Sequence, residues 1–134
     1  MQWPDCLVDR QLTDQELIAA LSSYLSVAPS TILVVAEVPA YKLPNATTML
    51  CERCPVRGDF VLKLSFYPQD DAIGAQDGCR FIEFLCARTG CRCLVPDESE
   101  NPFSMILVEG IDRRKGVFLR TDAMALDPEE YVIA

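Results

Sequence analysis

The chain contains no histidine. That removes the usual general base near neutral pH and the commonest neutral metal ligand. Ser-His-Asp and Cys-His catalytic arrangements are therefore excluded within the chain. No Gly-Lys-Ser/Thr phosphate loop and no dinucleotide glycine fingerprint occurs among its six scattered glycines. Long apolar runs are missing as well. The longest, residues 32–36, falls far short of the roughly 18 residues that span a bilayer. The opening Met1-Gln2-Trp3-Pro4-Asp5-Cys6 has neither a basic start nor an apolar stretch, which argues against a secretory signal. Basic residues are scarce, at 12 Lys and Arg against 20 Asp and Glu, for a net charge of −8. Such a surface repels nucleic acid phosphate and anionic lipid and attracts basic proteins and cations. These absences point to a cytoplasmic protein with no nucleic acid and no membrane partner.

What is present suffices for one core. A chain of 134 residues, half of them hydrophobic, has the length of a single domain, expected over residues 1–134. Seven cysteines is a high, odd count, and without an export signal reduced thiols are expected.

The clearest helix start is Thr13 with Glu16, a capping box flanked by Leu12 and Leu17 as a hydrophobic staple. Leu17, Leu21 and Tyr24 form one apolar face, with Ile18 and Leu25 beside them, and Pro29 blocks continuation. A β-branched strand is expected over residues 31–38. Residues 39–58 read as a long loop, with room for a short strand at 47–50. Residues 59–67 alternate Phe60, Leu62, Leu64 and Phe66 with more polar neighbours, a strand of period two. Asp77 caps a second helix over 78–89, with Phe81, Ile82, Leu85 and Cys86 on its apolar face and Arg80, Glu83 and Ala87 opposite. Gly90 suits its left-handed C-cap. Strands follow at 91–95, 103–109 and 117–121, the last two as a hairpin around the loop 110–116. Tyr131, Val132 and Ile133 should dock the tail. The expected fold class is α+β: a mainly antiparallel sheet of about five strands with two helices packed on one face, in the order α-β-β-α-β-β-β.

Two groups of residues carry candidate chemistry. Cys51 and Cys54 form a C-x-x-C pair, and Cys91 and Cys93 a C-x-C pair. Four thiolates suit tetrahedral zinc, although the second pair is one residue short of the common spacing. The alternative is that Cys79, Cys86 and Cys91 or Cys93 are small core residues. The acidic runs are the other group: Asp97, Glu98 and Glu100 in one turn, and Asp127, Glu129 and Glu130 in the tail. Adjacent at one end of the sheet, they would speed encounter with a basic partner, with Phe103 or Tyr131 as aromatic anchors. Taken singly, each run also reads as a solvated rim. The basic triplet Arg113-Arg114-Lys115 falls in the hairpin loop, where solvation or pairing with nearby acids is expected.

The segment from Gly90 to Gly110 joins a helix end, Cys91-Arg92-Cys93, and the turn Asp97-Glu98-Ser99-Glu100-Asn101-Pro102-Phe103 to a hairpin. With the ending Leu126-Asp127-Pro128-Glu129-Glu130-Tyr131-Val132-Ile133, this layout resembles the small bacterial immunity proteins that neutralise polymorphic toxins. The resemblance implies a non-enzymatic protein that blocks a basic toxin domain by direct contact, needs no cofactor, and carries over no residue roles. Two other readings stay open: a zinc-binding regulatory or adaptor domain built on Cys51, Cys54, Cys91 and Cys93, and a small acidic secretion chaperone.

Overall fold

The computed structural model describes residues 3–126 and 129–134. Its strands are β1 (Cys6–Val8), β2 (Ile32–Val35), β3 (Met49–Pro55), β4 (Arg57–Gly58), β5 (Leu62–Pro68), β6 (Cys93–Pro96), β7 (Ser104–Gly110), β8 (Arg113–Phe118) and β9 (Glu130–Tyr131). Its helices are α1 (Asp14–Leu25), α2 (Asp71–Gly74), α3 (Gly78–Thr89) and α4 (Thr121–Leu126), with a 3-10 turn at Pro29–Thr31. The class is α+β. Seven strands form a mixed sheet in the order β2-β3-β5-β1-β6-β7-β8, and β4 pairs with β9 separately.

Local chemistry sets both long helices. Thr13 Oγ1 accepts from the Glu16 amide at 3.0 Å, and Glu16 Oε1 accepts from the Thr13 amide at 2.9 Å. A cap of this kind contributes about 1 kcal/mol. Asp77 Oδ1 accepts from the Arg80 amide at 3.1 Å, and Gly90 closes α3 at φ 75°. The apolar faces of α1 and α3 cover one side of the sheet, over Cys6, Val8, Met49, Cys51, Leu62, Leu64, Cys93 and Val95. The other side carries a second, smaller core of Leu7, Val56, Phe60, Leu94, Met105, Leu107 and Leu119.

The sheet departs from the sequence expectation in four ways. β1 is a central strand, between β5 and β6. Three residues buried on both faces show no alternation to read. Much of the expected loop 39–58 is β3, which pairs with β5 over its full length. The β2–β3 pair is parallel. Residues 36–48 supply the dozen or so residues that a parallel return needs, without a helix. Finally, the hairpin turns earlier than expected. Asp112 takes the left-handed conformation at φ 56°, so Arg113, Arg114 and Lys115 lie in the edge strand β8. Cations on an exposed edge discourage pairing with another sheet.

Two side chains also change sides. Phe60 precedes β5 and packs in the second core, away from Leu62, Leu64 and Phe66. Glu83, expected on the polar face of its helix, is buried beneath the β7–β8 turn. The tail docks as expected: Ile133 N donates to Asp59 Oδ2 at 2.9 Å, and Arg120 N to the Val132 carbonyl at 2.7 Å. Among the described residues no helix is long and apolar enough to cross a membrane.

Candidate functional site

The turn after β6 is built by its own side chains. Asp97 Oδ1 accepts from the Ser99 amide at 3.0 Å, and Asp97 Oδ2 from the Ser104 hydroxyl. Hydrogen bonds from Ser104 and then Ser99 hold the Asp97 carboxyl below the usual carboxylate range. Asn101 Oδ1 accepts from the Phe103 amide at 3.0 Å. Closing this turn places Glu98 at φ 64°, a conformation that costs a non-glycine residue about 1–2 kcal/mol.

This turn borders a cavity of about 330 Å³ on the sheet face opposite α1 and α3. Leu94, Met105, Leu119 and Met124 supply its apolar lining, and Asp5, Lys63, Asp97, Glu98 and Tyr131 its polar groups. Lys63 Nζ lies 4.0 Å from Asp5 Oδ2. Among the described residues that line the cavity, one lysine stands with three carboxylates.

Of the residues singled out from the sequence, the structure brings Asp97, Glu98 and Tyr131 to this cavity. Glu100, Glu129 and Glu130 do not line it. Glu100 and Glu129 are exposed, and Glu130 is half-buried in β9. Phe103 is half-buried against the second core and does not line the cavity. Asp127 lies outside the described residues. Asp5 and Lys63 were missed because they meet only once β1 is placed beside β5.

Tyr131 is held by glycine. β9 runs parallel to β4, with the Asp59 amide donating to the Tyr131 carbonyl at 2.8 Å. Gly58 sits at φ +100°, and a Cβ there would lie 2.5 Å from the Tyr131 carbonyl oxygen. Gly58→Ala is therefore expected to cost about 1–3 kcal/mol. Amide hydrogen exchange should show the loss concentrated in residues 130–134. Unchanged protection there would mean that β4 does not hold the tail.

No family model matches the chain, and no curated protein or solved structure matches it. The reading of the site therefore rests on its own geometry.

The cysteines assemble differently from the expected zinc set. Cys51 and Cys54 are three positions apart on β3, so their side chains point to opposite faces. Cys51 is buried under the helices and Cys54 is exposed. Burial raises the Cys51 thiol far above its ordinary value. The structure instead places Cys91 and Cys93 with Cys86 of α3. Cys91 Sγ lies 4.0 Å from Cys86 Sγ and 3.9 Å from Cys93 Sγ. Hydrogen bonding with Cys86, and then with Cys93, pulls the Cys91 thiol down. Contact with Cys6, then with Cys86 and Cys91, pushes Cys93 up. The C-x₄-C-x-C spacing across the Gly90 cap was the signal for this trio, and reading Cys86 only as core concealed it.

Proposed function

We propose that this protein is a non-enzymatic binding protein whose cavity receives a basic segment of a protein partner, a toxin domain that it neutralises by contact. One observation carries the reading: among the described residues, three carboxylates, from Asp5, Asp97 and Glu98, share an apolar-lined cavity with one lysine. An apolar lining takes the aliphatic stem of an arginine or lysine, and the acidic rim takes its charged head. Tyr131 adds an aromatic side of the kind enriched at binding hot spots. The net charge of −8 favours encounter with a basic surface. The likeness of residues 90–110 and 126–133 to immunity proteins supports a toxin as that partner. A cytoplasmic setting is part of the proposal, and the buried thiols are consistent with it.

Glu98 offers a test of the cavity's charge. Glu98→Gly removes one carboxylate and relieves the left-handed backbone. Strain relief favours the variant, whereas glycine's greater freedom in the unfolded chain and the loss of the interaction Glu98 makes within the fold oppose it, so urea unfolding of the variant accompanies the binding measurement. Partner association should slow about tenfold at low salt and converge on the parent rate at high salt. The test co-expresses the protein with each protein encoded beside it in the native genome and scores growth rescue and a purified basic complex. Rescue that weakens in Glu98→Gly supports the reading. If no neighbour is bound and no growth is restored, the toxin proposal fails. A complex with an exported, non-toxic neighbour would assign the protein as a secretion chaperone instead.

A further inference from the structure

Three buried thiols cluster on the helix side of the sheet, away from the acidic cavity. Cys86 projects from α3, Cys93 begins β6, and Cys91 lies in the turn between them. All three sulfurs lie within 4.8 Å of one another, with two separations of 3.9 and 4.0 Å. A metal–thiolate bond of roughly 2.3 Å places sulfurs about 4.0 Å apart in a trigonal set and about 3.8 Å apart in a tetrahedral one. We propose that Cys86, Cys91 and Cys93 bind one thiophilic d¹⁰ metal ion, of the copper(I) and zinc class.

The surroundings hold the three sulfurs in place before any ion arrives. Gly90 turns the chain back at the end of α3. Asp9 grips Arg92, between the two turn cysteines, through both its amide at 2.8 Å and its guanidinium at 3.0 Å. That clamp keeps Arg92 at the surface while Cys91 and Cys93 face inward, each at most 1% exposed. Sulfur donors select soft ions, so calcium and magnesium do not fit. Three sulfurs alone satisfy copper(I). Zinc takes a fourth ligand beyond the three sulfurs of the trio. Each thiol that binds as thiolate releases its proton to solvent. Arg10, bonded to the Thr89 carbonyl at the end of α3, supplies a nearby positive charge.

The site is buried, so loading is tested during folding. The full chain is refolded anaerobically under reducing conditions with cadmium(II) as a spectroscopic probe, and in parallel with copper(I) or zinc(II). About one equivalent of cadmium per chain is expected, with a thiolate-to-metal charge-transfer band and a raised unfolding temperature. Cys91→Ala and Cys93→Ala should abolish the band, while Cys54→Ala and Cys79→Ala, outside the trio, should keep it. Refolding the parent protein with metal and an excess of chelator should give neither the band nor the raised unfolding temperature, a reading that needs no variant to fold. Under about a tenth of an equivalent after refolding with metal would leave the trio as packed thiols and overturn the proposal. A band that survives in both Cys91→Ala and Cys93→Ala would overturn it equally.

Discussion

Replacing Phe81 with alanine is expected to cost about 4 kcal/mol, a large share of the roughly 5–15 kcal/mol that holds an ordinary domain. Phe81 is fully buried on α3 and joins that helix to α1, β5 and the start of the chain through aromatic contacts. Its ring centroid lies 5.6 Å from Trp3, 5.5 Å from Tyr24 of α1 and 5.6 Å from Phe66 of β5. The Tyr24 and Phe66 contacts are edge-on, the favoured arrangement for such pairs. Trp3 in turn donates its indole N–H to the Ile73 carbonyl at 3.1 Å, which ties the start of the chain to α2. Truncation at Phe81 therefore leaves a cavity whose walls are held by different elements and collapse poorly. Urea unfolding followed by far-ultraviolet circular dichroism should show a midpoint lowered by about 2 M, for a slope near 2 kcal/mol/M. The fluorescence of Trp3, the only tryptophan, should shift even before unfolding. Phe81→Leu should recover about half the loss. A cost below about 1 kcal/mol for Phe81→Ala would mean that the cavity closes and that the aromatic group is not the joint between α1, α3 and the sheet.

The legibility of this fold in its sequence follows the range of the interactions. α1 and α3 were readable because their signals are local: Thr13 with Glu16, Asp77 with the Arg80 amide, and Gly90 at a left-handed cap. β5 was readable from the alternation of Leu62, Leu64 and Phe66, but its start was not, because Phe60 continues the pattern while packing on the opposite face. β1 and β3 were hidden for opposite reasons. Cys6, Leu7 and Val8 are too few and too uniformly apolar to show a period. In β3, Glu52 and Arg53 look like loop residues, yet Glu52 meets Tyr67 of the neighbouring β5 at 3.4 Å and Arg53 meets Asp14 of α1 at 2.7 Å. The candidate site divides in the same way. Asp97, Glu98 and Tyr131 stand out as acidic or aromatic residues near a turn and a chain end. Asp5 and Lys63 depend on strand order, which no local pattern encodes.

Glu83 carries the second large effect, one that depends on pH. Its side chain is only 1% exposed, yet it meets two arginines. Arg80 Nη1 donates to Oε1 at 2.8 Å, Arg114 Nε donates to Oε2, and the Asp112 amide donates to Oε1 at 3.2 Å. Burial opposes the charge, but the Asp112 amide and the two guanidiniums outweigh it and hold the carboxyl below its usual value. Removing one member of a buried ion pair costs about 3–5 kcal/mol. The low end applies to Glu83→Ala, because both arginines left behind are partly exposed and rehydrate. Glu83→Gln keeps the acceptor for Asp112 and should cost about 1–2 kcal/mol at pH 7. Since the folded carboxyl is the stronger acid, its contribution is complete above the unfolded pKa of about 4.3. It disappears as the pH falls through the lower folded value. The stability gap between the parent and Glu83→Gln, measured by urea unfolding, should therefore be widest at neutral pH and narrow steadily below about pH 4. Other carboxylates titrate in the same range, but they do so in both proteins and cancel in the difference. A gap that stayed constant through acid would show that Glu83 contributes by shape alone, and that α3 is fastened to the β7–β8 turn without its charge.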